Sequence, residues 1–263
     1  MAQSELLMRT SGTTANNAGT GRQTRHYSLL VAKDSAEVQA AQRLRYHVFS
    51  EEMGACLPTA DLGVDADAFD QFCDHLVVRD EETGDIVGSY RMLPPEAAQR
   101  TGQLYADDEF DLSSLAPLRG SLVETGRSCV HADHRSGAVI SMVWAGILRY
   151  MLLSGHSYIA GCASVPLQDG GACAAGVWDM VSTKHFASEE HRVYPHNPWD
   201  TDSAPRPTRR ITPPLLRGYL RLGARVCGAP ALDPEFGVAD FFVLLPINSI
   251  DDRYLRYLVG KSE

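Results

Sequence analysis

The sequence lacks three features that would assign it to well-defined protein classes. It has no run approaching the roughly 18 consecutive apolar residues of a membrane-spanning helix, and its polar N-terminus has no apolar signal segment. Its six cysteines include no C-x-x-C pair, which argues against a zinc ribbon or a disulfide framework. The formal net charge of −9 argues against general nucleic-acid binding. These absences predict a cytoplasmic protein that contacts a membrane at most peripherally, at its inner face.

Common phosphate-binding and hydrolase motifs are also missing. No G-x-G-x-x-G follows the first predicted strand, and the chain has no P-loop and no G-x-S-x-G elbow. A loop between Cys56 and Phe72 carries several carboxylates, but their spacing does not match an EF-hand, so we predict no metal site. The four aspartates of this loop are Asp61, Asp65, Asp67 and Asp70.

Periodicity predicts a mixed α/β fold behind a polar leader. Residues 1–25 are rich in Ser, Thr, Asn, Gly and Gln and show no apolar period, which predicts a disordered leader. Residues 26–263 are predicted to form a single domain, with one mixed, mostly antiparallel sheet and helices on both faces. Strands are predicted at 26–32, 75–79, 86–93, 122–129, 157–165 and 238–245, and helices at 35–54, 138–154, 171–185 and about 212–226.

The stretch Ser121–Gly137, SLVETGRSCVHADHRSG, is predicted to be a strand, a polar loop and the start of a helix. Because a helix N-terminus attracts anions through its unpaired N–H groups and its dipole, this loop is expected to bind a phosphate-bearing ligand. In strict alternation Glu124 and Arg127 lie on opposite faces of the strand. Gly126 between them predicts a bulge that would bring the two side chains closer.

Two arginines elsewhere are candidate site residues. Arg45 follows Ala41 by four residues and precedes Val48 by three, so it projects from the apolar face of the first helix. It needs a carboxylate partner or an anionic ligand there, unless it snorkels past the core. Arg91 lies in the predicted strand 86–93 and is either an edge charge or a residue of a cleft.

A basic segment lies near the C-terminus. Between positions 202 and 233 the chain carries six arginines and no acidic residue. Thr212 is predicted to cap a helix opened by two prolines. The resulting stripe is either a solvated face or a docking patch for an acidic partner protein or anionic lipid headgroups. Its three arginines, at i, i+4 and i+8, are Arg217, Arg221 and Arg225.

Several segments together resemble the acyl-carrier-protein-dependent branch of the GNAT acyltransferases. They are LRYHVF, the aspartate-rich loop, GSYRML, ETGRSCV followed by RSG, GCASV, and PPLLRGYLRLGARVCGAP with FGVADFFVLL. This set is similar to the N-acyltransferases that place a 3-hydroxyacyl chain on the α-amine of ornithine to make lyso-ornithine lipid. It is more distantly similar to N-acyl-amino-acid and acyl-homoserine-lactone synthases. The likeness covers about Tyr27 to Leu245.

The resemblance implies a GNAT-like acyltransferase domain with no permanently bound cofactor. Its donor would be the acyl-phosphopantetheine of acyl-carrier protein, and its acceptor ornithine. Glycine, lysine, tyrosine or a lactone precursor is an alternative acceptor, and a non-catalytic acyl- or lipid-binding module is an alternative function. HADHRSG is only a degenerate form of the R/Q-x-x-G-x-G/A loop of acetyl-CoA enzymes. That departure argues against coenzyme A as donor.

The resemblance also implies roles for individual residues. Glu124 is the first choice for the base that takes the proton of the attacking amine, and Glu51 or Asp70 is the second. Arg127 or Arg91 would hold the carboxylate of the amino acid. The alternative is that Glu124 and Arg127 pair only with each other. The remaining assignments are Arg45 and Phe49 at the substrate site, backbone N–H groups from Ser128 to Val130 at the oxyanion, Arg135, Ser136 and Gly137 at the pantetheine phosphate, and Arg217, Arg221 and Arg225 at the docking patch.

Overall fold

The computed structural model describes residues 5–15, 22–135, 137–209 and 211–259. The chain forms two compact units and passes between them four times. Unit 1 comprises Met1–Met92, Gly126–Gly155 and Asp252–Glu263, and unit 2 comprises Leu93–Thr125 and His156–Asp251.

Eleven strands and six α-helices lie in the described residues. The strands are β1 (Glu5–Ala15), β2 (Arg22–Ala32), β3 (Asp74–Asp80), β4 (Ile86–Leu93), β5 (Phe110–Asp111), β6 (Leu122–Val130), β7 (Tyr158–Pro166), β8 (Tyr194–Pro195), β9 (Arg225–Val226), β10 (Ala231–Asp233) and β11 (Val238–Pro246). The helices are α1 (Ser35–Tyr46), α2 (Pro95–Thr101), α3 (Gly137–Ser154), α4 (Ala172–Lys184), α5 (Pro214–Arg221) and α6 (Asp252–Val259).

Unit 1 is an antiparallel arrangement of β1, β2, β3 and β4, to which the second half of β6 also belongs. Helix α3 packs on β1, β2 and β3, and α6 packs on α3. The approach of α3 is close, because a Cβ atom at Gly146 would lie 2.2 Å from a methyl group of Leu29. A different set of apolar side chains packs α1 against the sheet. It consists of Leu30, Ala32, Ala41 and Val77.

Strand β1 corrects the prediction of a disordered leader. Glu5–Ala15 pairs with β2 along its whole length, with one irregularity between Leu6 and Met8. Leu7 and Met8 are buried, so a short apolar segment gains a packing partner that no periodicity in residues 1–25 indicates. The predicted leader is therefore wrong for these eleven residues. Residues 1–4 and 16–21, also in the predicted leader, lie outside the described residues.

Helix α1 ends earlier than the predicted helix 35–54. It is capped by Asp34, whose side chain accepts the N–H of Glu37 at 2.8 Å. The chain then continues as a π-helical turn, His47–Glu52. Turns of this kind are rare and recur at functional sites, because the extra residue per turn changes which side chains face the core.

Unit 2 is built on β7 and β11, which pair antiparallel over nine residue pairs. Strands β10 and β9 also pair with β11, and the first half of β6 runs parallel to β7. A close approach lies beside this parallel pair, where a Cβ atom at Gly161 would lie 2.2 Å from the carbonyl oxygen of Thr125. The fold is thus α/β with a mostly antiparallel mixed arrangement of strands, which confirms the predicted fold class.

The predicted helix around 212–226 is shorter and differently capped. Helix α5 ends at Arg221, and its N-cap is Pro213 rather than Thr212. Arg225 lies in β9, where it pairs across from Leu244 of β11. The predicted three-arginine helical stripe is therefore wrong, because Gly223, with a positive φ of 100°, interrupts the helical path before Arg225.

Helix α3 has the length and composition of a membrane-crossing helix. Its 18 residues have a mean hydropathy of 1.5, and half of them are buried inside the structure. The core helix of a globular unit has the same composition, and α3 packs on three strands of unit 1. We therefore describe α3 as a core helix.

Candidate functional site

Six charged side chains form a closed ring within unit 1. Three arginines alternate with three aspartates, so each charge lies between two of opposite sign. This alternation offsets the cost of taking the charges out of water. We call this set the arginine–aspartate ring, and its members in order are Arg45, Asp70, Arg91, Asp67, Arg127 and Asp65.

Arg45 is fully buried and is the most enclosed member of the ring. Its Nη1 and Nη2 atoms donate to the two carboxylate oxygens of Asp70 at 3.1 and 2.7 Å. Its Nε lies 3.0 Å from Oδ2 of Asp65. Gln42 also donates to Asp70, at 2.9 Å. The buried arginine thus has the carboxylate partner that its position on the apolar face of α1 requires.

Arg91 and Arg127 complete the ring through the aspartate-rich loop. Nη1 of Arg91 lies 2.7 Å from both carboxylate oxygens of Asp67 and 3.0 Å from Oδ1 of Asp70. Nε of Arg127 lies 3.1 Å from Oδ2 of Asp65, and its Nη2 lies 3.4 Å from Oδ2 of Asp67. A substrate carboxylate that binds either arginine would therefore compete with Asp67.

The ring changes the pKa values of two of its members, Asp70 and Arg91. Burial alone would raise the pKa of Asp70, but the hydrogen bonds and charge of Arg45, with the charge of Arg91, hold that pKa well below its ordinary value. Burial disfavours the charged form of Arg91, but the negative charge of Asp67 outweighs burial, so the pKa of Arg91 lies above its ordinary value. A carboxylate of such low pKa is a weak proton acceptor at neutral pH, which disfavours the predicted role of Asp70 as a base.

The backbone of β6 is irregular where the sequence predicts a bulge. Arg127, directly after Gly126, has a φ of 51° and is the one non-glycine residue with a positive φ among the described residues. Such a conformation costs about 1–3 kcal/mol and recurs at functional sites. Arg127 contacts the ring, whereas Glu124 contacts Tyr105. The alternative that Glu124 and Arg127 pair only with each other is therefore wrong.

Glu124 is buried in unit 2 and supports a turn of the chain. Its two carboxylate oxygens accept the backbone N–H groups of Tyr105 at 2.6 Å and of Ala106 at 2.8 Å. These residues open the 3₁₀ turn Tyr105–Asp108. No pattern in the sequence predicts this contact, because the turn lies in a segment without periodicity.

A second group of ionisable side chains in unit 2 was missed by the sequence analysis. The Sγ atom of Cys162 lies 3.7 Å from Oε2 of Glu109, and Asp240 accepts a hydrogen bond from Ser164 at 2.6 Å. Ligand-capable atoms of Glu109, Cys162 and Asp240 lie within 4.8 Å of one another. We call these three residues the acid–thiol cluster. They come from distant parts of the chain, so no local motif signals them.

Burial is the main cause of the unusual acidities in the acid–thiol cluster. It raises the pKa of Glu109 to about 8, with further contributions from the charges of Asp240 and Asp233. Burial and the charge of Glu109 raise the pKa of the Cys162 thiol well above its ordinary value. Burial also raises the pKa of Cys129, in unit 1, to about 12. These thiols therefore stay protonated at neutral pH and are poor nucleophiles.

The residues predicted to bind the pantetheine phosphate lie at the start of α3. Arg135 contacts Glu52 through Nη2 at 2.5 Å and donates from Nε to the carbonyl of Val130 at 3.0 Å. Gly137 is the first residue of α3, and Ser136 lies outside the described residues. Because Arg135 already contacts a carboxylate, it offers less charge to a phosphate than a solvated arginine would.

The other predicted residues around β6 have varied surroundings. Phe49 is buried in the π-helical turn, and Ser128 and Val130 are half-buried in β6. Glu51 is exposed, and this second candidate base lies 2.5 Å from Nδ1 of His47 at the surface.

The three predicted docking arginines are exposed but do not share one helix face. Arg217 and Arg221 lie on α5, whose opposite face buries Leu216 and Tyr219. Arg225 instead donates to the carbonyl of Lys184 at 3.1 Å. It lines a cavity of about 410 Å³ in unit 2. The other residues around this cavity are Phe186, Ala187, Ser188, His191, Leu244 and Pro246.

Comparisons with known proteins point to a single family. The profile of the acetyltransferase (GNAT) domain matches residues 44–145. A protein of Brucella abortus (strain 2308) named L-ornithine N(alpha)-acyltransferase is 36% identical over an alignment of 243 positions that covers 86% of this chain and 86% of that protein. A protein of Agrobacterium fabrum (strain C58 / ATCC 33970) with the same name is 34% identical over an alignment of 254 positions that covers 89% of this chain and 85% of that protein.

Solved structures of related enzymes share the fold. The acyl-homoserine lactone synthase LasI has a TM-score of 0.53 at 13% identity and covers 91% of this chain and 98% of its own. FeeM, an N-acyl amino acid synthase from uncultured soil microbes, has a TM-score of 0.51 at 14% identity and covers 85% of this chain and 92% of its own. At such low identity the likeness shows the fold alone.

Proposed function

This chain belongs to the family of L-ornithine N(alpha)-acyltransferases, and from this premise we propose that it transfers a 3-hydroxy fatty acyl chain from acyl-carrier protein to the α-amine of ornithine. The observation that carries the proposal is identity of 33–36% over most of the chain with four relatives of that name. The product is lyso-ornithine lipid. No permanently bound cofactor is needed, because the acyl group arrives on the phosphopantetheine of the carrier.

The reaction is a direct attack of an amine on a thioester. The neutral α-amine forms a C–N bond with the thioester carbonyl carbon, and the C–S bond breaks as the pantetheine thiol leaves. An acyl-enzyme route through Cys162 or Cys129 is disfavoured, because burial raises the pKa of both thiols. The proposed enzyme therefore binds donor and acceptor together before any product leaves.

The resemblance gives the proposed roles around β6. Arg91 or Arg127 holds the ornithine carboxylate, and backbone N–H groups from Ser128 to Val130 stabilise the oxyanion. Glu124 is the carboxylate that the sequence favours as base. Replacement of Glu124 by alanine should lower kcat by about 10²–10⁴-fold, the range typical of a general base. Wild-type turnover of that variant would exclude Glu124 from the catalytic machinery.

The acceptor is identified by a direct assay. The purified chain is incubated with 3-hydroxyacyl carrier protein and, in separate reactions, with ornithine, lysine, glycine or tyrosine, and N-acyl products are measured by mass spectrometry. Nα-acetylornithine and Nδ-acetylornithine serve as matched acceptors with one amine blocked. We expect product from ornithine and from the Nδ-blocked form. Product from a different amino acid would indicate an N-acyl-amino-acid synthase, and no product would favour a non-catalytic acyl-binding module.

The donor is proposed to dock on the basic segment of unit 2. Acyl-carrier proteins are acidic, so exposed arginines there favour association by charge complementarity. Arg225 stands apart from Arg217 and Arg221, which places part of the positive charge beside the cavity lined by His191. The same charges would favour a peripheral contact with an anionic membrane surface, where the amphipathic product must leave.

Charge reversal tests the docking proposal. Arg217→Glu, Arg221→Glu and Arg225→Glu should each raise KM for the acyl-carrier protein several-fold, with kcat at saturating carrier unchanged. Arg43→Glu, an exposed site in unit 1, is the matched control. An equal KM for the carrier in all four variants would exclude this surface as the docking site.

A further inference from the structure

The 3₁₀ turn Tyr105–Asp108 links Glu124 to Glu109. Glu124 accepts the first two N–H groups of the turn, and Glu109 is the residue that ends it, with its N–H donated to the carbonyl of Ala106 at 3.1 Å. The carbonyl of Glu109 accepts the N–H of His196 at 2.8 Å. The position of Glu109 therefore depends on Glu124 through one short turn of backbone.

Glu109 lies beside the strand that pairs with β6. Its Oε2 is 3.7 Å from Sγ of Cys162 in β7. Cys162 is two residues beyond Ala160, which pairs with Glu124. Because side chains alternate along a strand, Cys162 and Ser164 share one face, and that face is partly accessible. The carboxyl of Glu109 thus lies against the face of β7 that carries Cys162, close to the residue pair Glu124–Ala160.

We propose that Glu109 is a further catalytic residue, the carboxylate that accepts a proton from the ornithine ammonium, and that Glu124 is the positioning residue that holds the turn carrying it. This inference rests on the proposed function and replaces Glu124 as the proton acceptor. Glu109 takes one proton from the ammonium group and later releases it to water. The neutral amine then attacks. After the C–N bond forms, the nitrogen loses a second proton, which ends on the departing thiolate.

The charges around Glu109 suit this role. The groups that face it are Asp240 of β11, Asp233 of β10, Glu124 of β6 and the Cys162 thiol. The three carboxylates act in the same direction as burial and raise the pKa of Glu109, whereas the hydrogen bond from Cys162 lowers it. A base whose pKa lies near the working pH is both available and strong enough to take a proton. Asp70 of the arginine–aspartate ring lacks this property, because its neighbours hold its pKa well below the ordinary value.

Glu109→Gln is the first test, with kcat measured against pH at saturating donor and ornithine. We expect the wild type to lose activity below about pH 8 and the variant to fall about 10²–10⁴-fold in kcat and to keep only the pH dependence that the amine of ornithine imposes. Circular dichroism confirms that the variant folds. Wild-type kcat in Glu109→Gln would overturn the inference and leave the proposed function intact. Absence of any turnover in the wild-type chain would overturn both.

Two neighbours of Glu109 provide a sharper test, because they shift its acidity in opposite directions. Asp240→Asn removes a negative charge and should move the acidic limb to lower pH, whereas Cys162→Ala removes a hydrogen bond and should move it to higher pH. Ornithine itself titrates identically with every variant, so the shifts report on the enzyme. If the acidic limb of the kcat–pH profile stays in place in these two variants, or moves in the reverse directions, the proposed role of Glu109 is wrong.

Glu124→Gln separates positioning from proton transfer. If Glu124 only positions the turn, Glu124→Gln should lower kcat but keep the acidic limb of the pH profile. In the double variant Glu124→Gln/Asp240→Asn, that limb should still move to lower pH. If Glu124→Gln abolishes the limb and Glu109→Gln retains it, Glu124 is the proton acceptor and the inference is wrong.

Discussion

The arginine–aspartate ring and the acid–thiol cluster treat buried carboxylates in opposite ways. In the ring each aspartate lies between two guanidinium groups, which hold the pKa of Asp70 well below its ordinary value. In the cluster burial and like charges raise the pKa of Glu109 to about 8. The difference shows that the neighbours of a buried acidic side chain decide whether it stays charged or titrates near neutral pH, and residue type alone does not.

Removal of one ring arginine is the strongest way to break this comparison. Arg45→Met should lower the free energy of unfolding by about 3–5 kcal/mol, because two buried carboxylates lose their most enclosed partner. Urea unfolding of both proteins at pH 7 measures the change. A loss below about 1 kcal/mol, the value of an exposed ion pair, would show that the ring is solvated rather than structural.

The free energy of unfolding at acidic pH tests the depressed pKa of Asp70 in the arginine–aspartate ring. Because the folded-state pKa of Asp70 is depressed, its contribution is present above its ordinary pKa near 4 and is lost as pH falls below that value. For a salt-bridged aspartate this amounts to about 2–3 kcal/mol. Unfolding free energies from pH 6 to pH 2 should show a shallower acid loss in Asp70→Asn, which is less stable at pH 7. Equal slopes in the two proteins would contradict the depressed pKa.

In the acid–thiol cluster, we expect the inactive variant Glu109→Gln to be more stable than the wild type at alkaline pH. A carboxyl of raised pKa contributes stability that is fully present below its unfolded pKa, near 4.3, and is lost as pH rises through about 8. Glu109→Gln cannot ionise, so it should exceed the wild type by at least about 1 kcal/mol at pH 9 and differ less at pH 5. Thermal unfolding at the two pH values measures the difference. A variant less stable at pH 9 than at pH 5, relative to wild type, would contradict the raised pKa.

The smallest expected change in the free energy of unfolding comes from the surface ion pair Arg135–Glu52, which serves as a reference for the buried ring. Arg135 lies 2.5 Å from Glu52 near the start of α3, and its side chain is 46% exposed. Arg135→Ala should change the free energy of unfolding by less than about 1 kcal/mol, and 0.5 M salt should reduce even that. A loss comparable with that of Arg45→Met would mean that Arg135 is part of the structural charge network.

The sequence predicts the regular elements well and the connecting segments poorly. The predicted strands at 75–79, 86–93, 157–165 and 238–245 correspond to β3, β4, β7 and β11 within a residue or two. Their signals are local, because apolar side chains alternate or run continuously within each strand. Strand β1 was missed because its partner, β2, rather than its own composition, stabilises it.

The site was predictable only where one element supplies the reason. The burial of Arg45 follows from its place on the apolar face of α1, and its need for a carboxylate follows from that burial. That Asp65, Asp67 and Asp70 each bridge two arginines depends on the path of an irregular loop, which no periodicity encodes. Glu109 was missed for a stronger reason. Its partner Cys162 is 53 residues away, and the segment around Glu109 has no repeating pattern.

The packing of α6 on α3 affects how the chain folds during its synthesis. Unit 1 includes Asp252–Glu263, so its helix pair is complete only after the ribosome has made all of unit 2. At about 5–20 residues per second, the delay between Ser154 and Asp252 is on the order of 5–20 s. During that time the surface of α3 that α6 covers is open to water. A released chain truncated before Asp252 should therefore bind chaperones more strongly than the full chain.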